Sequence, residues 1–161
     1  MSLFRVFIET PRDSRKKYTY DPGVHGFILK KLLPLGMVFP FDFGFIPGTK
    51  GEDGDPLDAM VISEFKTFPG CSIDCRLIGL LKAQQSKGKK MIRNDRYFFV
   101  PETSTLYKHI KTVSNLPPQL VKELLFFFVA YNKEEGKEFR PLKIIPADKA
   151  ALLLKKQLKL K

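Results

Sequence analysis

Helical spacing is confined to the last third of this chain, and that asymmetry constrains the fold more than any other feature. Before about residue 114 the apolar residues alternate or fall in short runs cut by Pro and Gly, as strands do. Leu3 to Thr10 puts Phe4, Val6 and Ile8 on one face. Lys17 to Tyr20 and Phe27 to Leu32 are two further short strands. Asp21-Pro22-Gly23 between them is a turn, with Pro fixing φ and Gly permitting the reversal. Pro34 to Gly51 reads as irregular, yet too aromatic for a solvated linker. Ala59 to Ser63 is a short strand and Pro69-Gly70 a turn. Cys71 to Lys82 is a longer strand with Ile73, Cys75, Leu77 and Gly79 on one face. Ser86 to Asn94 is a polar, hairpin-like connection, and Arg96 to Val100 is a strand stopped by Pro101.

The first long helix is expected to begin near Ser114-Asn115, with Pro117 in its first turn, where a missing N–H costs nothing. Leu120, Leu124, Phe127/Phe128 and Tyr131 fall on one face at helical spacing, and Glu134-Glu135-Gly136-Lys137 ends the helix. Leu142 to Ile145 is short and β-like. Asp148 caps a last helix that carries Leu152, Leu153 and Leu160 among lysines. Strands first and helices late give an α+β fold, mostly β. A small closed, OB-like β-barrel flanked by two helices suits these lengths. At 161 residues and 43% hydrophobic, residues 1–161 are expected to form a single domain with one real core.

Several function classes drop out. The longest apolar run, Leu124 to Ala130, is far short of the roughly 20 residues a membrane span needs. The N-terminus lacks a signal-peptide pattern, so a cytoplasmic protein with no membrane partner is expected. Cys71 and Cys75 have no further Cys or His to complete a zinc site and read as reduced thiols, one of them buried. His25 and His109 have no nucleophile nearby in sequence, which leaves hydrolase triads without support. Lys and Arg outnumber Asp and Glu by 28 to 17, a formal charge of +11, and such a field attracts phosphates, nucleic acid or anionic lipid.

Against that basic background stands one acidic loop, Asp53-Gly54-Asp55-Pro56-Leu57-Asp58. Its three carboxylates repel one another unless a cation intervenes. Gly54 allows a sharp turn between the first two, and Pro56 stiffens the loop. Oxygen ligands without His or Cys select a hard cation such as Mg2+, Mn2+ or Ca2+. An EF-hand count from Asp53 does reach Glu64 at the twelfth position, but Asp58 and Leu57 stand where that loop needs Gly and a ligand. A plain solvated acidic turn is the bland alternative.

Glu52 to Asp58 resembles the Asp-x-Asp-Pro-x-Asp signature of the family I inorganic pyrophosphatases. The resemblance extends over roughly residues 4 to 140 in order. Phe7-Ile8-Glu9-Thr10-Pro11 is similar to the family's opening strand, and Lys17-Tyr18 to the Lys-Tyr of the next. Met37 to Ile46 is similar to its aromatic Tyr-Pro-x-x-Tyr-Gly-Tyr-Ile stretch, Pro69 to Gly79 to the strand after the signature, and Phe127 to Tyr131 to a helix ending in a phosphate-binding Tyr.

The resemblance implies hydrolysis of pyrophosphate to two phosphates with Mg2+, Mn2+ being an alternative ion. By position it makes Asp53, Asp58 and Glu9 metal ligands, Asp55 the general base, and Lys17, Lys31, Arg96 and Tyr131 phosphate contacts. Asp95 joins the metal ligands on a one-residue slip in alignment. It also implies a homo-oligomer. The departures from the family pattern are Thr19, Lys31, Phe39, Phe43, Gln85, Ser86, Asn94 and Asn132. They keep open a slower enzyme, a hydrolase of another phosphoanhydride, or an inactive relative that binds phosphate or nucleic acid.

Overall fold

The computed structural model describes residues 2–159; Leu160, expected in the last helix, lies outside them. The strands are β1 Leu3–Thr10, β2 Lys16–Asp21, β3 Gly26–Leu32, β4 Asp42–Phe45, β5 Asp58–Val61, β6 Ser72–Lys87, β7 Lys90–Arg93, β8 Arg96–Pro101 and β9 Phe139–Pro146. Helix α1 spans Pro118–Glu134 and α2 Ala147–Lys159.

Five strands close on themselves. β1 pairs with β4, β4 with β5, β5 with β8, β8 with β6, and β6 returns to β1. All these pairings are antiparallel except β5–β8, which is parallel. Closure removes the exposed edges an open sheet would carry. β6 is 16 residues long because it also pairs with β7 and β9. The β2–β3 hairpin stands apart as its own two-stranded sheet, turned by Asp21, whose side chain accepts from the Gly23 N–H at 2.8 Å.

The mostly-β expectation with two helices holds, and the differences are local. β4 runs through the stretch expected to be irregular: Gly44 lets it approach β1, since a Cβ there would lie 1.8 Å from the Phe7 carbonyl oxygen. β6 continues to Lys87 through polar residues that its two partners hold in place. A 3-10 turn, Val113–Asn115, precedes α1, and Pro117 caps the helix instead of lying inside its first turn.

Two apolar clusters fill the interior. Phe39, Met60 and Phe98 pack with Leu124 and Phe128 of α1, while Val6, Ile8, Leu80 and Phe99 pack with Leu154 of α2. Burying each such side chain stabilises the fold by about 1.5–3 kcal/mol. No helix among the described residues is long and apolar enough to cross a membrane.

Candidate active site

A cavity of about 560 Å³ opens where the acidic loop meets β2, β8 and the end of α1. Glu9, Lys17, Asp53, Asp55, Asp58, Arg96 and Tyr131 all line it, so seven residues singled out from sequence converge. Phe39, Phe43 and Phe128 form its apolar wall.

The acidic side is set by backbone geometry. Gly54 adopts φ +88, a conformation side chains resist. The Asp55 N–H donates to Asp53 Oδ1 at 3.0 Å and the Gly51 N–H to the Asp55 carbonyl at 2.8 Å, which folds the loop back on itself. Asp55 is left exposed at the tip, while Asp58 begins β5 and is partly buried. The parallel β5–β8 register places Arg96 opposite Asp58, and the guanidinium meets the carboxylate at 2.8 Å. Arg96 also donates to Asn94 Oδ1 at 2.6 Å, and the Asn94 amide donates to Gln85 Oε1 at 2.8 Å. Its Nε is buried without a hydrogen-bond partner among the described residues.

Glu9 accepts from the Tyr20 N–H at 2.9 Å. Desolvation pushes its pKa up to about 7 against that bond, and the charges of Asp58 and Asp55 add to the rise. Burial raises the pKa of Asp58 too; Arg96 opposes the shift and Asp53 and Asp55 reinforce it.

The basic side is assembled from distant segments. Lys17 and Lys31 are register partners in the β2–β3 hairpin, and their ammonium groups lie 5.1 and 4.5 Å from the Tyr131 ring centroid. Lys31, expected to contact phosphate, does not line the cavity and is tied to it through Glu135, which does. Glu135 Oε1 is 2.7 Å from Lys31 Nζ and 3.3 Å from Lys17 Nζ, and Lys137 stands 3.8 Å from its other oxygen. Burial raises the Glu135 pKa, but the Lys31 hydrogen bond and the Lys17 charge prevail and hold it at about 2. Desolvation lowers the Lys17 pKa, which Glu135 counteracts. The Tyr131 hydroxyl is buried and makes no well-formed hydrogen bond among the described residues; desolvation, then the Glu135 charge, raise its pKa.

Asp95 is not brought to this cavity. Consecutive residues entering an extended segment point to opposite sides, so with Arg96 facing the acidic loop, Asp95 turns away. Its Oδ1 accepts from Arg93 Nε at 2.6 Å and from the Ala83 N–H at 3.1 Å, and it lines an adjoining cavity of about 460 Å³ with Tyr97 and Lys156, which shares Asp53, Pro56 and Asn94 with the first. Glu64, the EF-hand candidate, spends its oxygens on Ser104, Thr105 and Leu106.

Among the described residues no three of His, Cys, Asp and Glu form a ready cage for an ion. The donor chemistry nonetheless fits a hard divalent cation: the donors are oxygen-only, and Glu9 and Asp58, raised in pKa by burial and further by neighbouring carboxylates, would have their charged forms favoured by such an ion. Sequence reasoning missed Glu135 as a site residue. The available signal was its spacing: four residues after Tyr131, it falls on the same helical side.

Carboxylates on one side of an aromatic-walled cavity and lysines on the other have the donor chemistry of a site for a small polyanion with divalent cations. A family model described as "Inorganic pyrophosphatase" matches residues 6–160. The chain is 43% identical over 132 residues to an inorganic pyrophosphatase of Methanosarcina acetivorans, covering 82% of this chain and 76% of that protein. It is 37% identical over 135 residues to one from Synechocystis sp., covering 84% and 78%. The crystal structure of inorganic pyrophosphatase from Thermus thermophilus matches with a TM-score of 0.89 at 29% identity, covering 98% of this chain and 90% of that one. The chain belongs to the inorganic pyrophosphatase family.

Proposed function

We propose that this chain hydrolyses inorganic pyrophosphate to two phosphates, using Mg2+ and accepting Mn2+. The observation that carries this is the single cavity in which Asp53, Asp55 and Asp58 face Lys17 and Tyr131. Asp53, Asp58 and Glu9 would hold the cations; Asp95, bonded to Arg93 in the adjoining cavity, is left out of that set. When bound, the cations would acidify a coordinated water and neutralise phosphoryl oxygens. Asp55, exposed at the loop tip, would take the proton from the attacking water. Lys17, Arg96 and Tyr131 would orient phosphate oxygens, with Lys31 adding charge from behind. Phe39 and Phe43 exclude water from one wall.

A cytoplasmic setting is part of the proposal, supported by two free cysteines, Cys71 and Cys75. So is a homo-oligomer, supported by Phe126 and Val129 exposed on the outer face of α1. Nucleic acid is not a proposed partner, because the acidic loop repels a phosphate backbone.

One observation favours a second reading, a weakened enzyme. The wall beside Asp58 carries Gln85, Asn94 and Arg96, neutral amides and a fixed cation where further carboxylates would draw ions. A phosphate-release assay on pyrophosphate, with and without Mg2+, beside nucleoside triphosphates and polyphosphate, separates the two. Mg2+-dependent release from pyrophosphate above the others supports the proposal, and release from none sinks it.

A further inference from the structure

Glu135 lies one residue beyond α1, with its side chain only 16% exposed, and does for the lysines what an anionic ligand would do. One oxygen draws Lys31 and Lys17 together from facing positions of a hairpin, and the other faces Lys137. The buried Tyr131 hydroxyl, without a well-formed partner among the described residues, belongs to the same group. Three ammonium groups against one carboxylate leave an excess of positive charge that invites a further anion.

We infer that Glu135 is a tethered anion that holds Lys17 and Lys31 together and yields them when a phosphate oxygen enters. It thereby sets how tightly the lysine side of the cavity grips substrate and product. This rests on the proposed pyrophosphatase reading and adds to it a residue that governs affinity and release. An ammonium group has three N–H donors and can share them, but an oxyanion arriving beside a carboxylate is repelled. Glu135 thus weakens anion binding while keeping the lysines in place. Glu135→Gln retains the shape and one acceptor oxygen but removes the opposing charge. Were Glu135 merely a strut, the same change would let the lysines spread and would weaken binding.

The test is isothermal titration of the full chain, in Mg2+, with inorganic phosphate and with the hydrolysis-resistant methylenediphosphonate. E135Q is expected to bind both about tenfold more tightly, with KM and kcat falling together as product leaves more slowly. E135D, whose carboxylate is withdrawn by one methylene, is expected between wild type and E135Q, so it remains informative should E135Q fail to fold. Affinity that is unchanged or weaker in either folded variant, while wild type binds, overturns the inference alone. A wild-type chain that binds neither ligand sinks the pyrophosphatase reading and this inference with it.

Discussion

The two walls of the cavity are built by opposite means. The acidic wall takes Asp53, Asp55 and Asp58 from one loop bent by its own backbone at Gly54, with Glu9 added from β1. The basic wall gathers Lys17 and Lys137 from β2 and the segment after α1, with Lys31 of β3 held to it through Glu135. Each wall carries one residue of the other sign, Arg96 on Asp58 and Glu135 on the lysines. The balance differs. Glu135 is fully compensated and held at about 2, whereas Glu9 is left near 7, an acid still reluctant to ionise. A cation relieves the acidic wall, while an anion must displace part of the basic one.

The largest effect should come from the loop tip. Asp55→Asn keeps the shape but cannot accept a proton, so turnover on pyrophosphate should fall roughly 10²–10⁴-fold with the melting temperature little changed. A stable, metal-binding and fully active variant would remove Asp55 from its role. Next comes the counter-charge of the acidic wall. Arg96→Met should cost about 2 kcal/mol in denaturant unfolding, because a partly buried carboxylate loses its partner, and Mg2+ should restore much of the loss. An equal loss with and without Mg2+ would show that no cation replaces the guanidinium.

A smaller effect has opposite signs on the two walls. The folded-state pKa of Glu9 is raised from 4.5 to about 7, so its contribution to stability is present below pH 4.5 and lost as pH rises through 7. That of Glu135 is depressed to about 2, so its contribution is present above pH 4.5 and lost as pH falls toward 2. Unfolding of the metal-free protein from pH 2 to 8 should show both limbs, with Glu9→Gln flattening only the upper one and Glu135→Gln only the lower. A single variant that flattened both would mean the walls titrate as one unit.

Legibility in the sequence follows the same division. β1 and the β2–β3 hairpin could be read because alternation and the Asp21-Pro22-Gly23 turn are local signals. β4 could not, being four residues long and secured by the close approach of Gly44 to Phe7. Closure of the ring through β1 and β6 depends on pairings across some 70 residues, such as Phe4 with Cys75. The acidic loop was legible because its carboxylates are contiguous. The counter-charge on the lysines was not, because Glu135 and Lys31 are brought together only by the packed fold. Asp95 entered only on a one-residue slip in alignment, and one residue is enough to change sides: Arg96 meets Asp58 while Asp95 turns to Arg93.

Whether the acidic wall is a cation site is decided by a melting curve with and without Mg2+. An ion bound only by the native state stabilises it by about 2.7 kcal/mol at a hundred times its Kd. The wild-type melting temperature should rise with Mg2+, and Asp58→Ala should lose most of that rise. An equal rise in the variant, or none in the wild type, would contradict a cation site there.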